Sequence, residues 1–227
     1  MFLLLYFIIG CCVSSFLCLI AQRLPQGHSI IYPRSHCVNC GHPLSWKEII
    51  PLLSICLQRF RCRHCRCKIS PIYFIAELIG GSLCIWLFSF SVNTNSILIF
   101  WFLSAFLLSL MDCFYLVIEA RTLYFSWIIL WIVWIINGEF QLLCFFSLLL
   151  ISFPLIRYAS HFLGLGDILL LLSWSGGLTL ERFIQLLFIS SLLGLLFSLF
   201  STIHNKKETK LPFVPFLSTA LLLLHLP

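Results

Sequence analysis

The chain contains two aspartates, Asp112 and Asp167, and each stands where an apolar run meets a polar one. The contexts are Leu110-Met111-Asp112-Cys113-Phe114 and Gly164-Leu165-Gly166-Asp167-Ile168. A carboxylate beside a long apolar run is costly and usually faces a partner or a water-filled cavity. Two carboxylates that meet cannot both ionise easily, so one keeps a proton while the other stays charged. Such a pair can activate water and protonate a leaving amide nitrogen, the chemistry of aspartic peptidases. Gly164 and Gly166 let the backbone bend and approach a bound chain closely. Taken singly, Asp167 could instead cap a helix beginning at Ile168, and Asp112 could be a solvated interfacial charge.

A second constellation is Cys37-Val-Asn-Cys40 and Cys62-Arg-His-Cys65, with 21 residues between the pairs. Each C-x-x-C pair can grip one edge of a tetrahedral metal, and thiolates suit Zn²⁺. The separation slightly exceeds the usual range. Arg61, Arg63 and Arg66 favour the thiolate forms. With four protein ligands (Cys37, Cys40, Cys62 and Cys65) the site is closed, which predicts a structural zinc. Cys67 could replace Cys65 as the fourth ligand, whereas His36 and His64 read as bystanders. Reduced, unligated thiols and disulfides are the alternatives, the latter disfavoured in a reducing compartment.

What must position these groups is a membrane. The 227 residues are 61% hydrophobic and 10% charged, against about 25% charged in ordinary soluble domains, and the mean hydropathy is +1.06. The predicted fold class is an all-α polytopic helix bundle of about eight transmembrane helices with one cytoplasmic zinc-binding cysteine loop. The predicted spans are Met1–Ile20, Ile72–Phe90, Ile97–Met111, Leu123–Ile136, Phe140–Ile156, Ile168–Leu180, Phe183–Ile203 and Pro212–Leu226, judged against about 20 residues per crossing. The division is 1–20 as first helix, 21–71 as cytoplasmic loop, and 72–227 as the membrane-embedded part carrying both aspartates. The first span lacks a basic lead-in and a small-residue exit, so it reads as retained.

With the N-terminus outside, every basic residue except Arg182 falls on the cytoplasmic side, as the positive-inside rule asks. The net charge of +6 therefore reads as topology, with Lys206, Lys207 and Lys210 near anionic lipid, and no nucleic-acid partner is expected. Both aspartates fall at one cytoplasmic depth, where they can meet. Glu77 lies inside the second span, and a carboxylate there reads as functional or as paired with a nearby arginine. His161 could tune the dyad but reads more simply as an interfacial polar residue. Trp86, Trp131 and Trp134 suit an interfacial belt.

The ordered set of motifs resembles the bacterial type IV prepilin peptidases, a family of G-x-G-D membrane aspartyl proteases. The matching pieces are Gly10, Ser15-Phe16, Arg23-Leu24-Pro25, Pro33 to Cys37, Cys40, Ile50-Pro51, Ser54, Arg61-Cys62, Cys65, Ile69-Ser70, Tyr73, Glu77, Asp112, Gly164, Gly166, Asp167, Pro212-Phe213 and Pro215-Phe216-Leu217. The resemblance implies Asp112 and Asp167 as catalytic pair, with Gly164, Gly166 and Glu77 as supporting positions. It implies a prepilin or pseudopilin substrate, cut after a Gly between a short basic leader and an apolar helix. N-methylation of the new terminus from S-adenosylmethionine would follow. It also implies a multi-pass protein of a bacterial inner membrane, active at the cytoplasmic face. In one departure, Ile118 is followed by Glu119 where the family usually has Pro. Rival readings are an ion- or proton-coupled transporter using Asp112, Asp167 and Glu77, or a non-enzymatic membrane scaffold built on the zinc loop. The inverted repeats and broken helices of a transporter are not visible in the sequence.

Overall fold

The computed structural model describes residues 2–90, 96–158, 164–203 and 211–225; His161, Lys206, Lys207 and Lys210 lie outside them. The contacts divide the chain into two units, Met1–Asn95 and Ser96–Pro227.

The first unit holds α1 (Phe2–Arg23), the short helices α2 (Trp46–Ile49) and α3 (Leu53–Leu57), and α4 (Pro71–Phe90). Twenty residues of α-helix rise about 30 Å, the thickness of a hydrocarbon core. Helices α1 and α4 pack together on small residues. A Cβ on Gly10 would meet the Cβ of Cys84 at 2.5 Å and the backbone of Gly80 and Gly81, and one on Gly80 would run into Ser14. With no hydrophobic drive between helices in lipid, close backbone approach through small residues is what holds such a pair. Gln22 and Tyr73 hydrogen-bond at the loop-facing ends of the two helices.

The second unit contains α5 (Ser96–Tyr115), α6 (Ala120–Ile136), α7 (Leu142–Tyr158), α8 (Leu165–Ser175), α9 (Leu180–Ile203) and α10 (Val214–Leu224). Helix α10 packs on α5 and α9, and α8 on α6 and α7. Its core is aromatic at one end, where Trp101 meets the rings of Trp134 at 4.9 Å and His225 at 5.7 Å edge-on. Trp134 is buried, and a Cβ on Gly177 would strike its ring. It is therefore a packing residue of this core rather than a member of an interfacial belt. Trp131 donates its indole N–H to the Ser173 carbonyl.

Among the described residues, four helices are long and apolar enough to cross a membrane, α1, α4, α5 and α9; α6, α7, α8 and α10 are apolar but shorter. The α5 helix runs further than expected, so Asp112 lies within its last turn, and α8 begins three residues earlier than the predicted span. At 11 residues each, α8 and α10 rise about 16 Å, roughly half a bilayer core.

Candidate functional site

Asp112 is buried, 6% exposed, and its carboxylate does not sit idle. Oδ2 accepts the Val214 backbone N–H at 2.9 Å, and the Phe213 N–H also reaches the carboxylate. These are unsatisfied donors at the start of α10, at the positive end of its dipole. One carboxylate on α5 thus caps a helix about a hundred positions later in the chain. One turn deeper, the Ser109 and Ser218 hydroxyls bond to each other and to the Ala105 and Val214 carbonyls, locking α5 against α10.

Asp167 is half-buried in the first turn of α8, and Gly164 is the N-cap. The expectation that Asp167 might itself be the cap is replaced by a reciprocal arrangement. The Asp167 N–H donates to the Gly164 carbonyl at 3.0 Å, and the Gly164 N–H donates to the Asp167 carboxylate. The glycines are explained by space. A Cβ on Gly164 would lie 3.3 Å from Asp167 Oδ2, and one on Gly166 would lie 3.1 to 3.4 Å from the Ile118 side chain. Ile118 belongs to the turn between α5 and α6, so the chain just after Asp112 rests on the glycine just before Asp167. The two carboxylates lie close enough for their charges to interact.

Glu119, the departure noted in the sequence, is the N-cap of α6. The turn is made instead by Leu116 at φ 54°. The extra carboxylate faces Arg121 at 3.7 Å, and the Glu119 carbonyl accepts the Thr122 hydroxyl.

In the other unit the four expected cysteines converge. The Sγ atoms of Cys37, Cys40, Cys62 and Cys65 all lie within 4.8 Å of one another. Zn–S bonds of about 2.3 Å in tetrahedral geometry place sulfurs about 3.8 Å apart, and Cys37 and Cys65 stand at 3.7 Å. The donor set therefore fits a soft tetrahedral metal ion. Two matching knuckles build it. In the first, the Cys37 N–H donates to the His42 carbonyl and the Gly41 N–H to the Cys37 carbonyl. In the second, the Cys62 N–H donates to the Cys67 carbonyl and the Arg66 N–H to the Cys62 carbonyl. Isolated bridges His36 to Pro43 and Arg61 to Lys68 close both. This local duplication is too short and too divergent to stand out as a sequence repeat. Cys67 lies 3.6 Å from Cys37, beside the tetrahedral set, and the His42 and His64 rings face each other at 3.5 Å.

Backbone N–H groups of Cys40 and Asn39 hold the Cys37 thiol below its ordinary range. The Cys67 N–H and the Asn39 side chain bring Cys65 down to about 6. The His42 N–H favours the Cys40 thiolate, yet burial and the neighbouring cysteines carry Cys40 up to about 11. Hydrogen bonding to Cys65 and Cys37 pushes Cys67 up to about 12.

Glu77 is buried in α4. Its partners are the Leu52 N–H, at 2.7 Å, and the Ser15 side chain, not the arginine that its sequence context suggested.

The site residues that sequence reasoning missed are backbone donors, the N–H groups of Phe213 and Val214, and the apolar Ile118. The signal for the former was Pro215 close to a helix start, which marks α10 but not its contact with Asp112.

The comparisons with known proteins bear on both units. Residues 8–90 match the family model described as the Bacterial Peptidase A24 N-terminal domain. A prepilin leader peptidase/N-methyltransferase of Myxococcus xanthus is 47% identical over 83 residues, 37% of this chain and 25% of that protein. One from Burkholderia pseudomallei is 31% identical over 216 residues, 87% of this chain and 68% of the relative. The type 4 prepilin-like proteins leader peptide-processing enzyme of an Escherichia coli strain is 31% identical across 84% of this chain and 74% of its own length. No solved structure matches. On the coverage of these long alignments the chain belongs to the prepilin leader peptidase/N-methyltransferase family.

Proposed function

We propose that this chain is a membrane aspartyl endopeptidase that removes the short basic leader of a type IV prepilin or pseudopilin after a Gly, at the cytoplasmic face of a bacterial inner membrane, and then N-methylates the new terminus. The observation that supports the reading is the close approach of the segments bearing the chain's two aspartates, Gly166 beside Asp167 lying against Ile118 of the turn that follows Asp112, with the charge of Asp112 felt at Asp167. In the proposed step, the charged carboxylate takes a proton from a water molecule, whose oxygen attacks the scissile carbonyl carbon. The protonated carboxyl then gives its proton to the departing amine, so the C–N bond breaks as the amine becomes neutral. Asp112 is held in a fixed orientation by the donors at the start of α10. Gly164 and Gly166 keep the approach to Asp167 free of side chains.

S-adenosylmethionine would supply a methyl group to the freed N-terminal amine; that half of the reading rests on the names of the relatives alone. The cysteine loop would hold Zn²⁺ through Cys37, Cys40, Cys62 and Cys65 in a structural role, with the amino terminus outside and the loop in the cytoplasm.

The test is cleavage of a co-expressed prepilin-like substrate, read by mass spectrometry of its N-terminus. Wild type is expected to remove the leader, with a further 14 Da marking methyl transfer, while Asp112→Asn and Asp167→Asn reach the membrane and leave the leader attached. Cleavage surviving in either variant would sink the dyad and reopen the transporter and scaffold readings.

A further inference from the structure

The cysteine loop reads from sequence as a cytoplasmic loop, yet part of it packs alongside the helices of its unit. Three contacts within the first unit fix how far along them it reaches. The loop-facing ends of α1 and α4 are marked by the Gln22–Tyr73 hydrogen bond. Glu77 lies six residues beyond the start of α4 at Pro71, about 9 Å along the helix axis. Ser15, which bonds the same carboxylate, lies eight residues inside the end of α1 at Arg23, about 12 Å along it. Since the Leu52 N–H donates to Glu77 at 2.7 Å, the tip of the α2–α3 segment is inserted alongside the helices by that much.

The local backbone agrees. Leu52 takes φ 60° and ψ −53°, and the Leu53 N–H donates to the Pro51 carbonyl at 2.6 Å. This is a tight γ-turn that an L-residue rarely adopts. Irregular backbone at membrane depth is tolerated only where its polar groups are satisfied by protein or water, and Glu77 satisfies this one. From the tip, α3 climbs back, and Phe60 meets Phe74 of α4 edge-on at 5.7 Å. Ser54 and Ile55 turn inward and are buried, while Leu53 and Leu57 face outward at 61% and 73% exposure, with Ile49 also exposed. Ile75, Leu78 and Ile79 of α4, at the level of Glu77, are exposed as well, so α3 and α4 both turn apolar side chains outward near this level. Exposed Arg59 and Arg61 follow at once, placed to meet lipid phosphates as α3 emerges; the next, Arg63, faces Glu48 at 3.9 Å.

We propose that residues 49–57 form a re-entrant segment whose Ile49, Leu53 and Leu57 side chains lie among lipid acyl chains, with the Glu77 carboxylate anchoring its tip. This inference rests on membrane embedding alone and is independent of the catalytic reading.

The test places a single environment-sensitive fluorescent amino acid at position 53 or 57 in the full chain, with position 38 as an aqueous control because Val38 is 89% exposed. The protein is reconstituted in phosphatidylethanolamine/phosphatidylglycerol vesicles and quenched either by acyl-brominated lipid or by aqueous iodide. Positions 53 and 57 are expected to be quenched several-fold more by brominated lipid than position 38 is, and position 38 several-fold more by iodide. Iodide quenching at 53 and 57 equal to that at 38 would overturn the proposal in favour of a solvated loop. Quenching by neither agent would overturn it in favour of a protein-covered surface. Glu77→Ala should shift position 53 towards iodide, whereas Glu77→Gln, which keeps an acceptor oxygen, should not; an unmoved Glu77→Ala variant would remove Glu77 as the anchor.

Discussion

The Asp112 carboxylate on α5 accepts the Val214 N–H at the first position of α10, 2.9 Å away. The same group is thus asked to cap a helix and, in the proposed reaction, to activate water. These two duties separate on substitution. Asp112→Asn keeps an acceptor oxygen for Val214 and should unfold in detergent close to wild type while losing leader cleavage. Asp112→Ala orphans buried donors and should cost about 1–3 kcal/mol as well. Thermal unfolding of the two variants beside a cleavage assay tells them apart; equal stability would mean the cap contributes nothing.

Gly166 tests the approach of the two catalytic segments. Its missing Cβ leaves room for Ile118, so Gly166→Ala should wedge the turn after Asp112 away from Asp167 and lower the cleavage rate by at least 10-fold. Ile118→Ala should recover part of that loss in the double variant, as coupled neighbours do. Additive losses in the double-mutant cycle would rule out the contact.

Metal content distinguishes the thiols. Cys40→Ser should lower the zinc bound per chain, measured by mass spectrometry of the metal. Cys67→Ser should leave it unchanged, since Cys37, Cys40, Cys62 and Cys65 already converge without it. Equal zinc in Cys40→Ser and wild type would dismiss the four-thiolate assignment.

After chelation the thiols should differ in reactivity with pH. Cys65 is lowered to about 6, so its thiolate is present above that pH and lost as the pH falls below it. Cys40 and Cys67, raised to about 11 and about 12, stay protonated at neutrality. Alkylation at pH 7 should therefore label Cys65 before Cys40 and Cys67, read by peptide mass spectrometry, because the thiolate is the nucleophile. Uniform labelling would contradict the asymmetry.

The two knuckles offer a backbone test. Gly41 and Arg66 occupy equivalent left-handed positions, at φ 68° and 57°. Nothing lies within 4 Å of a Cβ on Gly41, so Gly41→Ala should cost about 1–2 kcal/mol through backbone strain alone. Arg66→Gly should relieve similar strain, less the entropy that glycine loses on folding. Opposite shifts in the unfolding midpoint of the zinc-loaded loop check both; parallel shifts would argue against the equivalence.

Much of this protein was legible in its residues. The run lengths and near-absence of charge give membrane-length helices because backbone polar groups in lipid must bond within a helix or a closed barrel. The C-x-x-C spacing brings each pair of thiols together through local turns. The ordered motifs carried the family, which long alignments to relatives then showed. The tertiary structure decided what depends on contacts between distant segments. The N–H groups at the start of α10 are generic in sequence and become ligands of Asp112 only through the packing of α5 on α10. Gly166 needs its neighbour Ile118 to explain it, and Trp134, amphipathic enough for a belt, is taken into the core over Gly177. Glu77 was conspicuous as a carboxylate in an apolar run, but beside the Ser15 side chain its partner is a main-chain N–H at Leu52, and every residue except proline carries one.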